Sequence, residues 1–353
     1  VQLPIEPPVA PMLAKATKVV PRAAEGESPW WYEPKWDGFR AIVFRDGDEV
    51  VIGSRGGKDL ARYFPEMVEQ VREYLSERCV IDGELVVARE VDGILRLSWD
   101  ALSERIHPAA SRVAMLAERQ PASLIAFDVL ALGDEDLTGL PFSERRERLR
   151  PAVRPGGGCH VTAATDDPDV AERWFREFEG AGLDGVVAKR ADSIYLPNKR
   201  EMIKVKHART ADCVLFGYRV HKSGRGVGSL LLGLYHDDQL YMIGGSGSFS
   251  DAARVELLDI VEPLRVGADV VAEGEATRWR AGADRSWIPL RPERVLEVAY
   301  DQMEGDAAAD ARLRLRHTAK FLRWRPDREP SECTFEQLDI PARYDVSDVL
   351  AGR

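Results

Sequence analysis

A lysine stands where an amine could attack phosphorus. Lys35 lies in Tyr32-Glu33-Pro34-Lys35-Trp36-Asp37-Gly38-Phe39-Arg40, just ahead of the apolar run Ala41-Ile42-Val43. An ammonium is no nucleophile, so such a lysine needs burial or cationic neighbours to favour its neutral form. Ile203-Lys204-Val205-Lys206 supplies those neighbours. Side chains alternate along a strand, so Lys204 and Lys206 share one face while Ile203 and Val205 turn to a core. A phosphate held between this pair and Lys35 would satisfy all three cations.

Acidic groups show the same alternation. Val80-Ile81-Asp82-Gly83-Glu84-Leu85-Val86 sets Asp82 and Glu84 on one face of an otherwise apolar strand. Carboxylates there could hold a ribose hydroxyl or a hard cation, and Gly83 would let a ligand approach the backbone. Ser54-Arg55-Gly56-Gly57-Lys58 joins cationic side chains to a permissive backbone suited to an anion. Phe127 in a short strand is either core or a stacking platform, and Leu183-Asp184-Gly185-Val186 opens a strand at an acid. Read singly, each segment also fits an ordinary role: a solvated lysine turn, a wet strand face or an Asp-Gly turn.

The elements that must position these residues follow from periodicity. Phe64, Met67, Val68, Val71 and Leu75 recur at helical spacing, and Val170, Trp174 and Phe178 share a face of a second helix that Gly180 and Gly182 can end. Between and around them, RAIVFRDG, EVVIGSR, CVIDGELVV, SLIAFDVLAL, GVVAK and MIKVKH read as strands bounded by turn residues. After about residue 209 the texture changes to five or six short strands with one helix, SDAARVELLDIVEPL, the pattern of a small β-barrel. A boundary is therefore expected near Arg209 to Ala211. From Lys199 to Arg225 eight basic residues face two acidic ones, a local charge of +6, and Val220-His221-Lys222-Ser223-Gly224-Arg225-Gly226 reads as a flexible basic loop for a phosphate backbone.

Composition bounds the rest. A chain of 353 residues predicts two domains with ample cores, and no apolar run reaches the length of a spanning helix. The start lacks the pattern of a secretion signal, and Cys79, Cys159, Cys213 and Cys333 are too scattered for a zinc or disulfide framework, so a cytoplasmic protein without membrane contact is expected. The net charge of -10 argues against nucleic acid as a partner unless basic patches are segregated.

Taken in order, KWDGFR, SRGGK, IDGELVV, AFDVLAL, DGVVAKR, IKVKH and RWRPDR resemble the nucleotidyl transferase motifs of the ATP-dependent DNA ligases, within that family the small bacterial ligases of the mycobacterial LigC type. The resemblance covers about residues 10 to 328. It implies an α+β fold: an adenylation (nucleotidyl transferase) domain of antiparallel sheets with flanking helices over 1–209, an OB-fold β-barrel over 210–330 and a carboxy-terminal extension over 331–353. It implies that Lys35 attacks the α-phosphorus of ATP, keeps AMP and passes it to the 5′-phosphate of a DNA nick, which the 3′-hydroxyl then seals.

The same resemblance implies that Arg40 and Glu84 hold the ribose, Phe127 stacks on adenine, Glu33 lies beside the base edge, and Lys204 and Lys206 hold the α-phosphate. Ser54 and Arg55 would meet the 5′-phosphate of the nick. Asp184, where the family usually has glutamate, would hold Mg2+. Arg325, Asp327 and Arg328 would orient the leaving pyrophosphate, which requires domain closure. Lys222 and Arg225 would grip DNA together with the rest of the two domains. Nicked duplex DNA is the expected partner of a monomer acting in repair, with a repair polymerase as a further partner. A GTP-using capping-type guanylyltransferase shares the lysine motif and is the rival enzyme; a non-catalytic nucleic-acid binder is the rival from another class.

Overall fold

The computed structural model describes residues 1–91, 93–267, 270–273, 286–304, 313–338 and 342–353. The chain divides into two compact units, Val1–Lys206 with Pro341–Arg353, and His207–Ile340. The expected boundary thus shifts three residues earlier than 209. The shift has a physical reason: Lys206 is held by an ion pair within the first unit, whereas Arg209 already pairs with Tyr300 in the second. The expected extension is also divided. Cys333 and Leu338 are buried in the core of the second unit, whereas Val346 and Val349 are buried in that of the first.

Two larger sheets, with the two-stranded ribbon Ala88–Val91 and Ile94–Leu97, build the first unit among the described residues. One runs in the order Leu13–Thr17, Arg200–Val205, Val186–Arg190, Trp30–Pro34. The other runs Cys159–Val161, Ser123–Leu132, Arg78–Val86, Phe39–Asp46, Glu49–Ser54. Pairing is antiparallel except at two edges, where Leu13–Thr17 and Cys159–Val161 lie parallel to their neighbours. The second sheet buries Val43, Ile81, Leu85 and Val129 against the helix Pro65–Tyr74, whose Met67 and Val71 are fully buried, as the 3.6-residue spacing predicts. The helix Pro168–Glu177 is capped by Asp167, continues as the 3₁₀ turn Phe178–Ala181 and ends at Gly182 in the left-handed conformation.

A bulge aims one residue of this framework. Asp82 pairs with Asp128 and Gly83 with Ala126, so Phe127 is the extra residue on its strand, unopposed by a partner. Gly83 makes room for the bulge. A Cβ there would lie 2.7 Å from the Ile125 carbonyl oxygen and 2.9 Å from Leu124 Cδ1. The glycine therefore admits a neighbouring strand, not a ligand, which corrects the expectation from sequence.

The second unit is a sheet in the order Gln239–Ser246, Val227–His236, Arg209–Val220, Ser286–Tyr300, Ala272–Glu273, with Lys320–Trp324 also on Ser286–Tyr300. The helix Asp251–Val261, capped by Ser250, packs Leu257 and Val261 into its core. Among the described residues no helix is long and apolar enough to cross a membrane.

Gly83→Ala is expected to destabilise the chain by about 1–3 kcal/mol, the usual cost of overpacking a tight site. A urea midpoint equal to the parent's would show that the bulge can relax around a methyl group.

Candidate active site

Strand register assembles the first wall of the site. Glu33 pairs with Val187 and Val187 with Lys204, so these three side chains form one row on one sheet face. One step along, the Lys35 amide donates to the Gly185 carbonyl at 2.8 Å and the Asp184 amide donates to the Lys35 carbonyl at 3.0 Å. This ladder places the side chains: Lys35 Nζ lies 2.6 Å from Asp184 Oδ2, and Lys206 Nζ lies 2.7 Å from the same oxygen. Asp184 is buried, so one carboxylate oxygen is shared by two ammonium groups in a poorly hydrated place. Lys204 has no ion-pair partner among the described residues. Burial, reinforced by Lys206 and Lys35, pulls its ammonium below the ordinary lysine value.

The other sheet supplies the facing wall of a cavity of about 220 Å³. Arg40, Glu84 and Phe127 border it, as do Lys35, Lys204 and Glu33. Gly38 lets the Arg40 strand start close to its neighbour, because a Cβ there would sit 2.0 Å from the Leu85 carbonyl oxygen. Arg40 donates through Nε and Nη2 to the two oxygens of Asp82, each at 2.6 Å, and its guanidinium stands 4.5 Å from the Phe127 ring centre. The Tyr195 hydroxyl donates to Asp82 Oδ2 at 2.6 Å and accepts from the Met12 amide at 3.0 Å. Burial and the Asp82 charge raise that phenol well above its ordinary value. Asp82 is fully buried beneath this network. It orients Arg40 and is not itself offered to a sugar or a cation, which corrects the reading of Asp82 and Glu84 as an equivalent pair.

Glu84 is half-buried, and desolvation pushes its carboxyl up to about 7 against the pull of Arg40 and Lys35. Glu33 reaches the cavity with both oxygens engaged. Arg146 Nη1 is 2.9 Å from one and Lys189 Nζ 2.8 Å from the other, and Lys189 also donates to the Phe127 carbonyl at 3.0 Å. The pair of buried cations thus fixes Glu33 and, through the carbonyl, the bulge that carries Phe127. Burial pulls the Arg146 guanidinium below its ordinary value.

Of the other expected residues, Ser54 and Arg55 belong to the first unit and Lys222, Arg225, Arg325, Asp327 and Arg328 to the second. Ser54 Oγ accepts from the Lys58 amide at 2.9 Å within a tight turn, while the exposed Arg55 reaches the cavity rim. In the second unit, Lys222 and Arg225 are exposed at the turn joining two strands. Neither has an ion-pair partner among the described residues. The turn expected to be flexible is closed by the His221 amide donating to the Gly226 carbonyl at 3.0 Å. Arg325 donates to both oxygens of Asp212 at 2.9 and 3.0 Å and to Asp327 at 2.9 Å, while Arg328 Nε lies 3.3 Å from Asp212.

Sequence reasoning missed Lys189, Arg146, Tyr195 and the support role of Asp82. Lys189 stood inside a quoted motif, and its parity with Val187 was the available signal. Arg146 lies on the helix Phe142–Ala152, whose apolar spacing of Phe142, Leu149 and Ala152 was readable in Pro-Phe-Ser-Glu-Arg-Arg-Glu-Arg-Leu-Arg-Pro-Ala.

The cavity is lined by Lys35, which Asp184 bridges to Lys206, by an oriented arginine and by an aromatic ring, an arrangement that fits a nucleotidyl transferase. Comparison with known proteins makes this specific. The family model of the ATP dependent DNA ligase domain matches residues 11–206, and that of the ATP dependent DNA ligase C terminal region matches residues 223–328. The chain belongs to the ATP-dependent DNA ligase family, and its second unit is the OB-fold domain of that family. It is 60% identical over 349 residues to DNA ligase C1 of Mycolicibacterium smegmatis, covering 99% of each chain. It is 52% identical over 372 aligned positions to DNA ligase C of Mycobacterium tuberculosis, again covering 99% of each. Among solved structures, a Lig E DNA ligase shares the fold at a TM-score of 0.52 and 17% identity, over 89% of this chain and 100% of that one. The protein is an ATP-dependent DNA ligase of the LigC-like type.

The raised Glu84 carboxyl has a consequence for stability. Between an ordinary value of 4.5 and about 7 the folded chain keeps a proton that the unfolded chain has released, so stability falls as pH rises through that window. Glu84→Gln is expected to flatten this part of the pH–stability curve. Parallel curves for parent and variant would contradict the assignment.

Proposed function

We propose that Lys35 is the residue that takes AMP and that the cavity beside it is the ATP site. The observation that carries this reading is the shared Asp184 oxygen, 2.6 Å from Lys35 and 2.7 Å from Lys206. Lys35 must shed a proton before its nitrogen can bond to the α-phosphorus, and Asp184 is within hydrogen-bonding reach to receive it. The Lys35 nitrogen then forms the bond to phosphorus as the bond to pyrophosphate breaks. Lys204 and Lys206 meet the charge that gathers on the phosphate oxygens at that moment, in a place where few solvent molecules compete.

The facing wall fits the nucleoside. Arg40, braced by Asp82, and Glu84 would hold the ribose, Phe127 would stack on adenine, and Glu33 would lie at the base edge. The donor chemistry also fits Mg2+ arriving with the triphosphate, because magnesium in nucleotide sites is ordinarily bound by one or two carboxylates together with phosphate oxygens. Asp184 would hold it. When bound, the ion would neutralise phosphate charge.

On the DNA side, Ser54 and Arg55 would meet the 5′-phosphate of the nick, and the exposed pair Lys222 and Arg225 would contact the phosphate backbone of the duplex. Arg325, Asp327 and Arg328 would orient pyrophosphate, Arg325 exchanging its hold on Asp212 for the leaving group. This makes the chain a sealer of nicked duplex DNA, with repair as the cellular setting and a repair polymerase as a fitting partner.

Two experiments test the reading. With labelled ATP the purified chain is expected to form an acid-stable adduct that Lys35→Ala abolishes along with sealing. Labelling from GTP in place of ATP, or persistent labelling of the variant, would overturn it, and nick binding with no adduct at all would point to a non-catalytic binder. Joint Lys222→Ala and Arg225→Ala is expected to weaken nick binding and to lower the salt slope of the affinity by about one to two, roughly one for each phosphate that is no longer neutralised. Equal affinity across a salt titration would remove the loop from the interface.

A further inference from the structure

We infer that the carboxy-terminal segment 342–353 is a positioning clamp for Asp184, and so sets the rate at which Lys35 takes AMP. The inference rests on the reading of Lys35 and Asp184 given above. The segment follows the barrel in sequence but is part of the first unit.

Its seat is built for it. Val349 is fully buried and Val346 nearly so, in a core shared with Trp174, Phe178, Ala181 and Leu183. The Tyr344 ring packs against Phe178 at 5.3 Å between centres. An Asp345 oxygen accepts from the Leu95 amide at 3.0 Å, while the other accepts from the Ser347 amide at 2.8 Å. Gly180 is open to the segment, since a Cβ there would lie 1.8 Å from the Ala342 carbonyl oxygen. A surface merely covered by a passing tail does not need a glycine at the point of closest approach.

The seat leads directly to the chemistry. Phe178–Ala181 is the 3₁₀ turn, the Gly182 amide donates to the Glu179 carbonyl at 2.8 Å, and the Leu183 amide donates to the Phe178 carbonyl at 3.3 Å. Leu183 is fully buried, and the next residue is Asp184, whose own amide is on the Lys35 carbonyl. From the other side, Asp345 holds Leu95 in the strand Ile94–Leu97, and Leu97 backs onto Gly182. The clamp therefore grips the turn at both of its faces. Aspartate has a single methylene between backbone and carboxylate, so it cannot reach to compensate for a displaced turn. The position of the turn decides the distance from Asp184 to Lys35.

The test uses the full chain with Val349→Asp, which drives a carboxylate into the apolar seat, and separately Gly180→Ala, which fills the seat from the opposite side. Both are expected to slow single-turnover lysyl-AMP formation at saturating ATP by about tenfold or more, since a misplacement of about 1 Å can cost on the order of 10²-fold. The half-saturating ATP concentration should change less than the rate does, because Arg40, Glu84 and Phe127 on the facing wall of the cavity lie on other elements. Amide hydrogen exchange should accelerate at Leu183 and Asp184. A synthetic peptide of residues 342–353 should restore the rate to Val349→Asp but not to Gly180→Ala, a rescue that a general loss of stability would not give. Should Val349→Asp fail to fold, Tyr344→Ala and Asp345→Asn carry the same expectation in milder form. Folded variants with lowered melting temperature but parental rate and parental exchange at Asp184 would overturn the clamp. Adduct on a residue other than Lys35 in the parent would instead overturn the site reading on which it rests.

Discussion

One buried carboxylate shared by two ammonium groups is the constraint on which the first unit is organised. Asp184 lies where hydration is poor, and its single negative charge is shared by Lys35 and Lys206. Neither lysine is fully buried, so the bridge is not sealed from solvent. Removing the carboxylate leaves both ammonium groups uncompensated, the kind of loss that typically costs about 3–5 kcal/mol at a buried ion pair. The three residues come from the loop after one strand, the turn before a second and the end of a third. Only the register of Trp30–Pro34, Val186–Arg190 and Arg200–Val205 brings them together. An incoming phosphate would therefore meet cations whose positions were settled by backbone pairing, which is what electrostatic preorganisation requires.

The opposite wall follows the same logic with different means. Arg40 is directed by Asp82, Asp82 is in turn held by Tyr195, and Phe127 is aimed by a bulge that Gly83 makes room for and Lys189 pins through a carbonyl. Arg40, Phe127 and Glu33 thus each rest on a buried polar contact beneath them. Such networks are costly if half satisfied, and here the carboxylates of Asp82, Asp184 and Glu33 each have two partners.

Much of this was legible in the sequence where the information is local. Strand alternation placed Lys204 with Lys206, and the helix Pro65–Tyr74 declared its buried face through Met67 and Val71. What was hidden depended on distant partners. Arg145 and Arg146 look like a solvated helical run, yet both are buried, on Asp128 and Glu33 respectively. Gly83 reads as room for a ligand until the Ile125 carbonyl is seen beside it. The net charge of -10 pointed away from nucleic acid, although the protein is a DNA ligase. Overall charge averages over the surface, while the stretch from Lys199 to Arg225 concentrates cations locally. The return of residues 342–353 to the first unit carried no sequence signal, because the apolar spacing of Val346 and Val349 names no partner.

The most direct test of the shared bridge is a double-mutant cycle on the rate of lysyl-AMP formation with Asp184→Asn, Lys206→Met and the pair together. If Asp184 acts through the bridge, the double variant should lose far less than the product of the single losses, a coupling of about 1–3 kcal/mol. Losses that simply multiply would mean that Asp184 and Lys206 work independently, and the bridge would then not be the element that organises the site.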